Sequence, residues 1–219
     1  MQINTGVRSL LASPALYRLA MRVIGGQKFH RWFIENILSL HDGQKIVDIG
    51  CGPADILSEL ALAIEYVGLD ISEVYIEAAR RRYGQRGLFI AGSVQDWVLD
   101  ARTQGADLVL SRGVLHHTDD NEAKKIIRFA HQVLNPSGRF IFYEPCYLLW
   151  QSRRSVFMMS KDRGQNIRTE QQWKALVADI FPNTVTNIVS NVNRIGYTNI
   201  IGQCFKIDND AFVDRILDS

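Results

Sequence analysis

The chain has 219 residues, a formal net charge of +2, 47% hydrophobic residues and 22% charged ones. That balance describes one globular α/β domain with a small cap, and it excludes a disordered chain, a disulfide scaffold and a broadly basic nucleic-acid binder. No apolar run approaches the roughly 18 residues of a membrane helix, so no membrane partner is expected. Cys51, Cys146 and Cys204 lie far apart, are odd in number and show no metal or redox spacing. They read as packing residues in a reducing, cytoplasmic setting.

Residues 1–34 contain no Asp or Glu but carry Arg8, Arg18, Arg22, Lys28 and Arg31. An organelle transit peptide has that character. The favoured alternative is a helical cap over residues 1–42, with Phe29, Trp32, Phe33, Ile37 and Leu40 at helical spacing and Tyr17 able to close over the cleft. Ile46 to Ile49 then form a buried strand around Asp48, broken by Gly50-Cys51-Gly52, after which Asp55, Ile56, Leu57, Leu60 and Ala61 begin an amphipathic segment. Strand, glycine turn and helix open a βαβ unit in which a ligand approaches the bare backbone. The dinucleotide fingerprint wants a third glycine where Asp55 stands. Two carboxylates, Asp48 and Asp55, suit a cationic cofactor without phosphate better than a pyrophosphate. S-adenosylmethionine, with its sulfonium and ammonium groups, is such a cofactor. Tyr66-Val67-Gly68-Leu69-Asp70 is the next strand, and Asp70, with Ile71 beside it, is placed to accept two hydrogen bonds from a ribose diol.

Ser72 caps a helix to about Tyr83, and Leu88 to Ile90 form the third strand, followed by Gly92-Ser93-Val94-Gln95-Asp96. Ala106 to Leu110 are the fourth strand, and the segment Ser111 to His117 after it looks into the same cleft as Gly50 and Asp70. One of Asp119, Asp120 and Asn121 caps a helix that ends at Asn135-Pro136-Ser137-Gly138, and Arg139 to Glu144 form a fifth strand stopped by Pro145. Residues 146–182 form a cover: an apolar, basic stretch (Leu148 to Trp150, Val156 to Met159; Arg153, Arg154, Lys161, Arg163, Arg168), then a helix from a Thr169/Gln172 capping box to about Ile180. Val185–Val189 and Thr198–Ile207 close the sheet across 183–207, and Phe212 to Leu217 suggest a short terminal helix.

The succession V-D-I-G-C-G-P, V-G-L-D, V-L-H-H and L-N-P-S-G-R-F over residues 46–145 resembles the class I S-adenosylmethionine-dependent methyltransferases of small molecules. The resemblance implies a Rossmann-like fold: one doubly wound, seven-stranded, mostly parallel sheet with an antiparallel C-terminal strand, residues 43–145 holding the cofactor. It implies a cofactor site of Asp48, Gly50, Cys51, Gly52, Asp70, Ile71, Ser111 and His116. Ser93 or Gln95 would meet the adenine amino group and the Val94 N–H a ring nitrogen, although many members carry Asp at the place of Ser93. Residues 162–168 are similar to a stretch in methyltransferases of bacterial sugar and surface-polysaccharide pathways.

Methyl transfer is an in-line displacement, and a general base is needed only for a protonated nucleophile. His116, His117 and Glu144 are the candidates, each with a bland alternative: lining the pocket or, for Glu144, a strand end satisfied by loop backbone. A metal site is not expected, because adjacent histidines do not readily face one ion. The basic, apolar cover suggests an anionic or sugar-related small-molecule acceptor. Competing readings are an NAD-dependent oxidoreductase and a non-catalytic methyltransferase-like binding module.

Overall fold

The computed structural model describes residues 26–97, 100–162, 164–190 and 197–206. Among the described residues there are eight strands: β1 (Lys45–Ile49), β2 (Glu65–Asp70), β3 (Leu88–Ala91), β4 (Ala106–Arg112), β5 (Leu134–Tyr147), β6 (Arg168–Thr169), β7 (Asn183–Ser190) and β8 (Thr198–Phe205). Seven run in the order β3-β2-β1-β4-β5-β8-β7, with the two-residue β6 pairing β5 to one side. Pairings from β3 through β5 are parallel, and β8 is antiparallel to both β5 and β7. This is the expected Rossmann-like doubly wound sheet, and the strand order reverses between β1 and β4 at the carboxyl edge where such sheets take ligands.

Strand alternation makes two cores, because successive side chains leave opposite faces. Val47, Ile49, Val109, Phe140 and Phe142 face α4 (Asp120–Val133) and α6 (Glu170–Ala178). Ile46, Leu108, Ile141 and Tyr143 face α1 (Gly26–Phe33) and α2 (Glu73–Tyr83). The helix starts follow local chemistry: Ser72, Asp119 and Thr169 each accept a bond from the backbone N–H three residues on, and Thr169 and Gln172 complete the capping box.

Three of the differences from the sequence expectation have a clear local cause. In the N-terminal cap, a π-helical turn (Ile34–Leu38) follows α1 and adds a residue to the repeat, so Leu38 is buried and Ile37 only partly. After the glycine turn, Asp55–Ser58 is a single 3-10 turn rather than a full helix. The Arg86 guanidinium takes the Leu57 and Leu60 carbonyls that a longer helix would have used. Pro145 does not stop β5, which runs on to Tyr147. Pro145 pairs in register with Asn199, while its carbonyl accepts from Trp173 Nε1 at 3.2 Å. Tyr17, Arg163 and the expected terminal helix lie outside the described residues.

Candidate functional site

The crevice begins at the glycine turn after β1. Gly50 has φ +70°, and a β-carbon there would lie 2.2 Å from Val114 Cγ2, so both backbone and space demand glycine. Gly50 and Cys51 N–H groups donate to the Leu69 carbonyl at 2.7 and 3.0 Å, which ties the turn to the end of β2. Gly52 has φ +56° and faces open space on its side-chain side. Cys51 is buried, and burial pushes its thiol pKa well up, so it fills space as a neutral thiol.

Asp70 closes the end of β2. Its Oδ2 accepts from Gly52 N–H at 2.9 Å and its Oδ1 from Ser72 N–H at 2.8 Å. Each oxygen retains a lone pair, enough for the two hydroxyls of a diol. Burial raises the Asp70 pKa, and the two backbone bonds offset this in part. Ile71 next to it is 75% exposed at the crevice mouth, an apolar surface on which a flat ring could lie.

The two acids that the sequence sets openly around the turn are in fact balanced. Asp48 is fully buried, and its Oδ2 accepts from Tyr66 OH at 2.7 Å and pairs with Arg112 at 3.0 Å. Asp55 pairs with Arg82 at 2.8 Å. A carboxylate taken from water needs such partners. Asp48 therefore sits beneath the turn as its support, with Oδ1 lacking a partner among the described residues, and Asp70 is the acid left at the mouth. Ser111 lies in register with Ile49 on β1, wholly buried, its Oγ also without a hydrogen-bond partner among the described residues.

At the end of β3, Gly92 N–H donates to the Asp70 carbonyl at 3.1 Å, bringing the next loop against the crevice. Ser93 N–H and Oγ both donate to Asp96 Oδ2 at 2.8 Å, and these bonds hold the Asp96 carboxyl below its ordinary value. Val94 and Gln95 open the short α3 (Val94–Trp97); Val94 is half-buried and Gln95 exposed. The acid missing at Ser93 thus enters the loop from Asp96. The Ser-x-x-Asp spacing was the available signal.

The segment after β4 is held by a second cluster. Glu144 is fully buried; its Oε1 accepts from Val114 and Leu115 N–H at 2.9 Å each, and its Oε2 pairs with His116 Nδ1 at 2.6 Å. His116 Nε2 meets Asp162 Oδ1 at 3.1 Å. Burial alone would lower the His116 pKa; the bonds to Asp162 and Glu144 outweigh it and raise the pKa to about 9. Burial would likewise raise Asp162, but the imidazolium, Gly164 N–H and Tyr197 OH hold it well below the usual range. A β-carbon at Gly164 would lie 1.9 Å from His116 Cδ2, and Asn166 N–H donates to the His116 carbonyl at 3.0 Å. Asp162, Gly164 and Asn166 thus strap directly over His116.

Arg168, grouped in the sequence with the basic residues of an acceptor site, is turned inward. It is buried, bonds the Leu115, Asn166 and Thr118 carbonyls at 3.0–3.2 Å, pairs with Asp120 at 2.8 Å and stacks its guanidinium 4.8 Å over Trp173. It closes the 3-10 turn Leu115–His117 instead of facing a ligand. His117 is half-buried, its ring 4.0 Å from that of His116. His116, His117 and Asp162 bring ligand atoms within 4.8 Å of one another, a grouping with room to take a divalent ion. An ion there would have to displace the existing bond between His116 and Asp162. Asp162, Tyr197, Arg112 and Asp96 are the site residues that the sequence reading did not single out.

A mostly parallel, doubly wound sheet whose strand order reverses beside a glycine turn defines an α/β protein of the Rossmann-like class. Comparison with known proteins narrows this. Residues 40–203 match the family described as "Methyltransferase domain", and the chain belongs to that family. It is 29% identical over 168 residues to an uncharacterized methyltransferase of Synechocystis sp., covering 74% of each chain. It is 30% identical over 102 residues to the malonyl-[acyl-carrier protein] O-methyltransferase of Legionella pneumophila, covering 45% of this chain and 35% of that one. The fold superposes on phosphoethanolamine N-methyltransferase 2 of Haemonchus contortus, solved with phosphomonomethylethanolamine and S-adenosylhomocysteine. The TM-score is 0.71 at 12% identity, over 93% of this chain and 61% of that one. The family implies use of S-adenosylmethionine, and the residues fit it: an open glycine turn, a carboxylate with spare lone pairs and an exposed apolar Ile71.

Proposed function

We propose that the protein transfers the methyl group of S-adenosylmethionine to a small-molecule acceptor. The observation that carries this is Asp70, fixed by Gly52 and Ser72 N–H groups at the edge of the turn with acceptor capacity left over. The cofactor supplies a methyl group already activated by its sulfonium charge. Asp70 would hold the ribose diol, the Gly50–Gly52 backbone would take the close approach, and Ile71 with the Ser93–Gln95 loop would flank the adenine. Buried Ser111 offers a hydroxyl beneath the turn. The support at Asp48 is indirect, through the shape of the turn.

The chain's own task is to align and dehydrate the acceptor, which the strap of Asp162, Gly164 and Asn166 serves by covering His116 in the segment after β4. Of the three candidate bases, His117 fits best. Both His116 nitrogens lie between carboxylates, and both Glu144 oxygens already accept hydrogen bonds. A hydroxyl or acidic carbon would need such a base; an amine arriving unprotonated would not. An anionic acceptor loses Arg168 as a support, since that residue is spent on loop carbonyls. A sugar-related acceptor rests on the resemblance of 162–168.

Titration calorimetry with S-adenosylhomocysteine and with NAD tests the cofactor, and labelled methyl transfer into metabolite fractions tests the reaction. Tight nicotinamide binding with no S-adenosylhomocysteine binding would support an oxidoreductase. Product binding with no transfer into any fraction would support a binding module.

A further inference from the structure

The short helix α5 (Arg153–Ser160) leaves part of its apolar surface outward. Its inward residues are Ser155 and Met159, joined to Gln151 Nε2 at 2.8 Å each. Its outward face carries Val156 and Phe157, 41% and 60% exposed, together with Arg153 and Arg154. The preceding turn adds Leu149, fully exposed, and Trp150, 74% exposed. Lys161 lies 5.5 Å over the Phe157 ring. Arg153 and Arg154 make no ion pair among the described residues. Core packing explains none of these four apolar side chains, and large apolar groups exposed on one turn and the helix after it, beside three basic residues, mark a contact surface.

We propose that this face docks peripherally on an anionic lipid surface. Leu149, Trp150, Val156 and Phe157 would enter the headgroup–acyl boundary, and Arg153, Arg154 and Lys161 would meet the lipid phosphates. Trp and Phe beside Arg and Lys are the residue types of a membrane interface. A second copy of the chain fits less well, because a two-fold pairing through this patch sets Arg153, Arg154 and Lys161 against their own counterparts. The segment follows the carboxyl end of β5, so docking presents the crevice edge of the sheet to the surface. Among the described residues no helix is long and apolar enough to cross a membrane, and none is needed for binding of this kind. The inference does not depend on the methyl acceptor.

The test is co-sedimentation of the full chain with vesicles of phosphatidylcholine alone and of phosphatidylcholine mixed with phosphatidylglycerol, at low and high salt. Binding is expected to the mixed vesicles, about tenfold or more above phosphatidylcholine alone, and to fade with salt. Arg153→Gln with Arg154→Gln should weaken it about 25-fold, at about fivefold per basic residue. Trp150→Ser with Phe157→Ser should abolish it while S-adenosylhomocysteine affinity stays unchanged, which separates lost docking from lost folding. No binding to the mixed vesicles, or binding that survives both double variants, overturns the proposal. So does a concentration-dependent dimer dissolved by Phe157→Ser, which would make a second copy the occupant.

Discussion

Replacing Asp162 by Asn tests the clamp over His116. The imidazolium is bonded at 2.6 Å to Glu144 and at 3.1 Å to Asp162, whose side chain is 18% exposed. Breaking a buried charge pair costs about 3–5 kcal/mol, and the partial exposure of Asp162 and its remaining bond from Gly164 N–H reduce this to about 2–3 kcal/mol. For a chain of this size that lowers Tm at pH 7 by about 5–10 °C. The effect must depend on pH. His116 has its folded pKa raised to about 9 from an ordinary 6.5. Its contribution, about 3 kcal/mol at most, is full below the unfolded value and is lost as pH rises through 9. At pH 10 the neutral ring donates to only one carboxylate, while the Asn amide can donate to its free nitrogen. The gap between wild type and Asp162→Asn should therefore shrink by more than half. Thermal melts followed by circular dichroism from pH 6 to pH 10, with an NMR titration of His116, make the measurement. An equal gap at both ends, or a wild-type His116 titrating at an unperturbed value, would refute the clamp.

Asp70→Ala should weaken S-adenosylhomocysteine binding about 10- to 100-fold, the scale of one or two hydrogen bonds to a charged group, and calorimetry that finds near-normal affinity would remove Asp70 from the site. Gly50→Val forces a branched side chain onto a positive φ and into Val114, so soluble protein that still binds the product normally would show the turn to be less constrained than its geometry. Arg168→Met should lower stability by about 2–4 kcal/mol in denaturant titration, since it leaves three loop carbonyls and Asp120 without their donor; a selective rise in acceptor KM at unchanged stability would instead return Arg168 to the acceptor site. His117→Asn should cut kcat about 100-fold or more with cofactor affinity intact if the acceptor requires a base, and an unchanged kcat on such an acceptor assigns that role elsewhere.

The sequence by itself determined the parts whose cause is local. Alternating and continuous apolar runs marked the strands, the Gly50–Gly52 break marked the turn, and Ser72, the Asp119-Asp120-Asn121 run and the Thr169/Gln172 box marked helix starts, since each rests on residues within a few positions; the structure chose Asp119 from its run. The place of Asp70 was legible because a strand end is a fixed position in a βαβ unit. Only the tertiary structure decided which charges stay open. Asp48 finds Arg112 across neighbouring strands, Asp162 reaches His116 from 46 residues away, and Arg168 turns into the loop it closes. Nothing in a local pattern names the partner of a buried charge. Sheet order and strand register bring the two groups together, and the cost of leaving either one alone away from water makes the pairing hold.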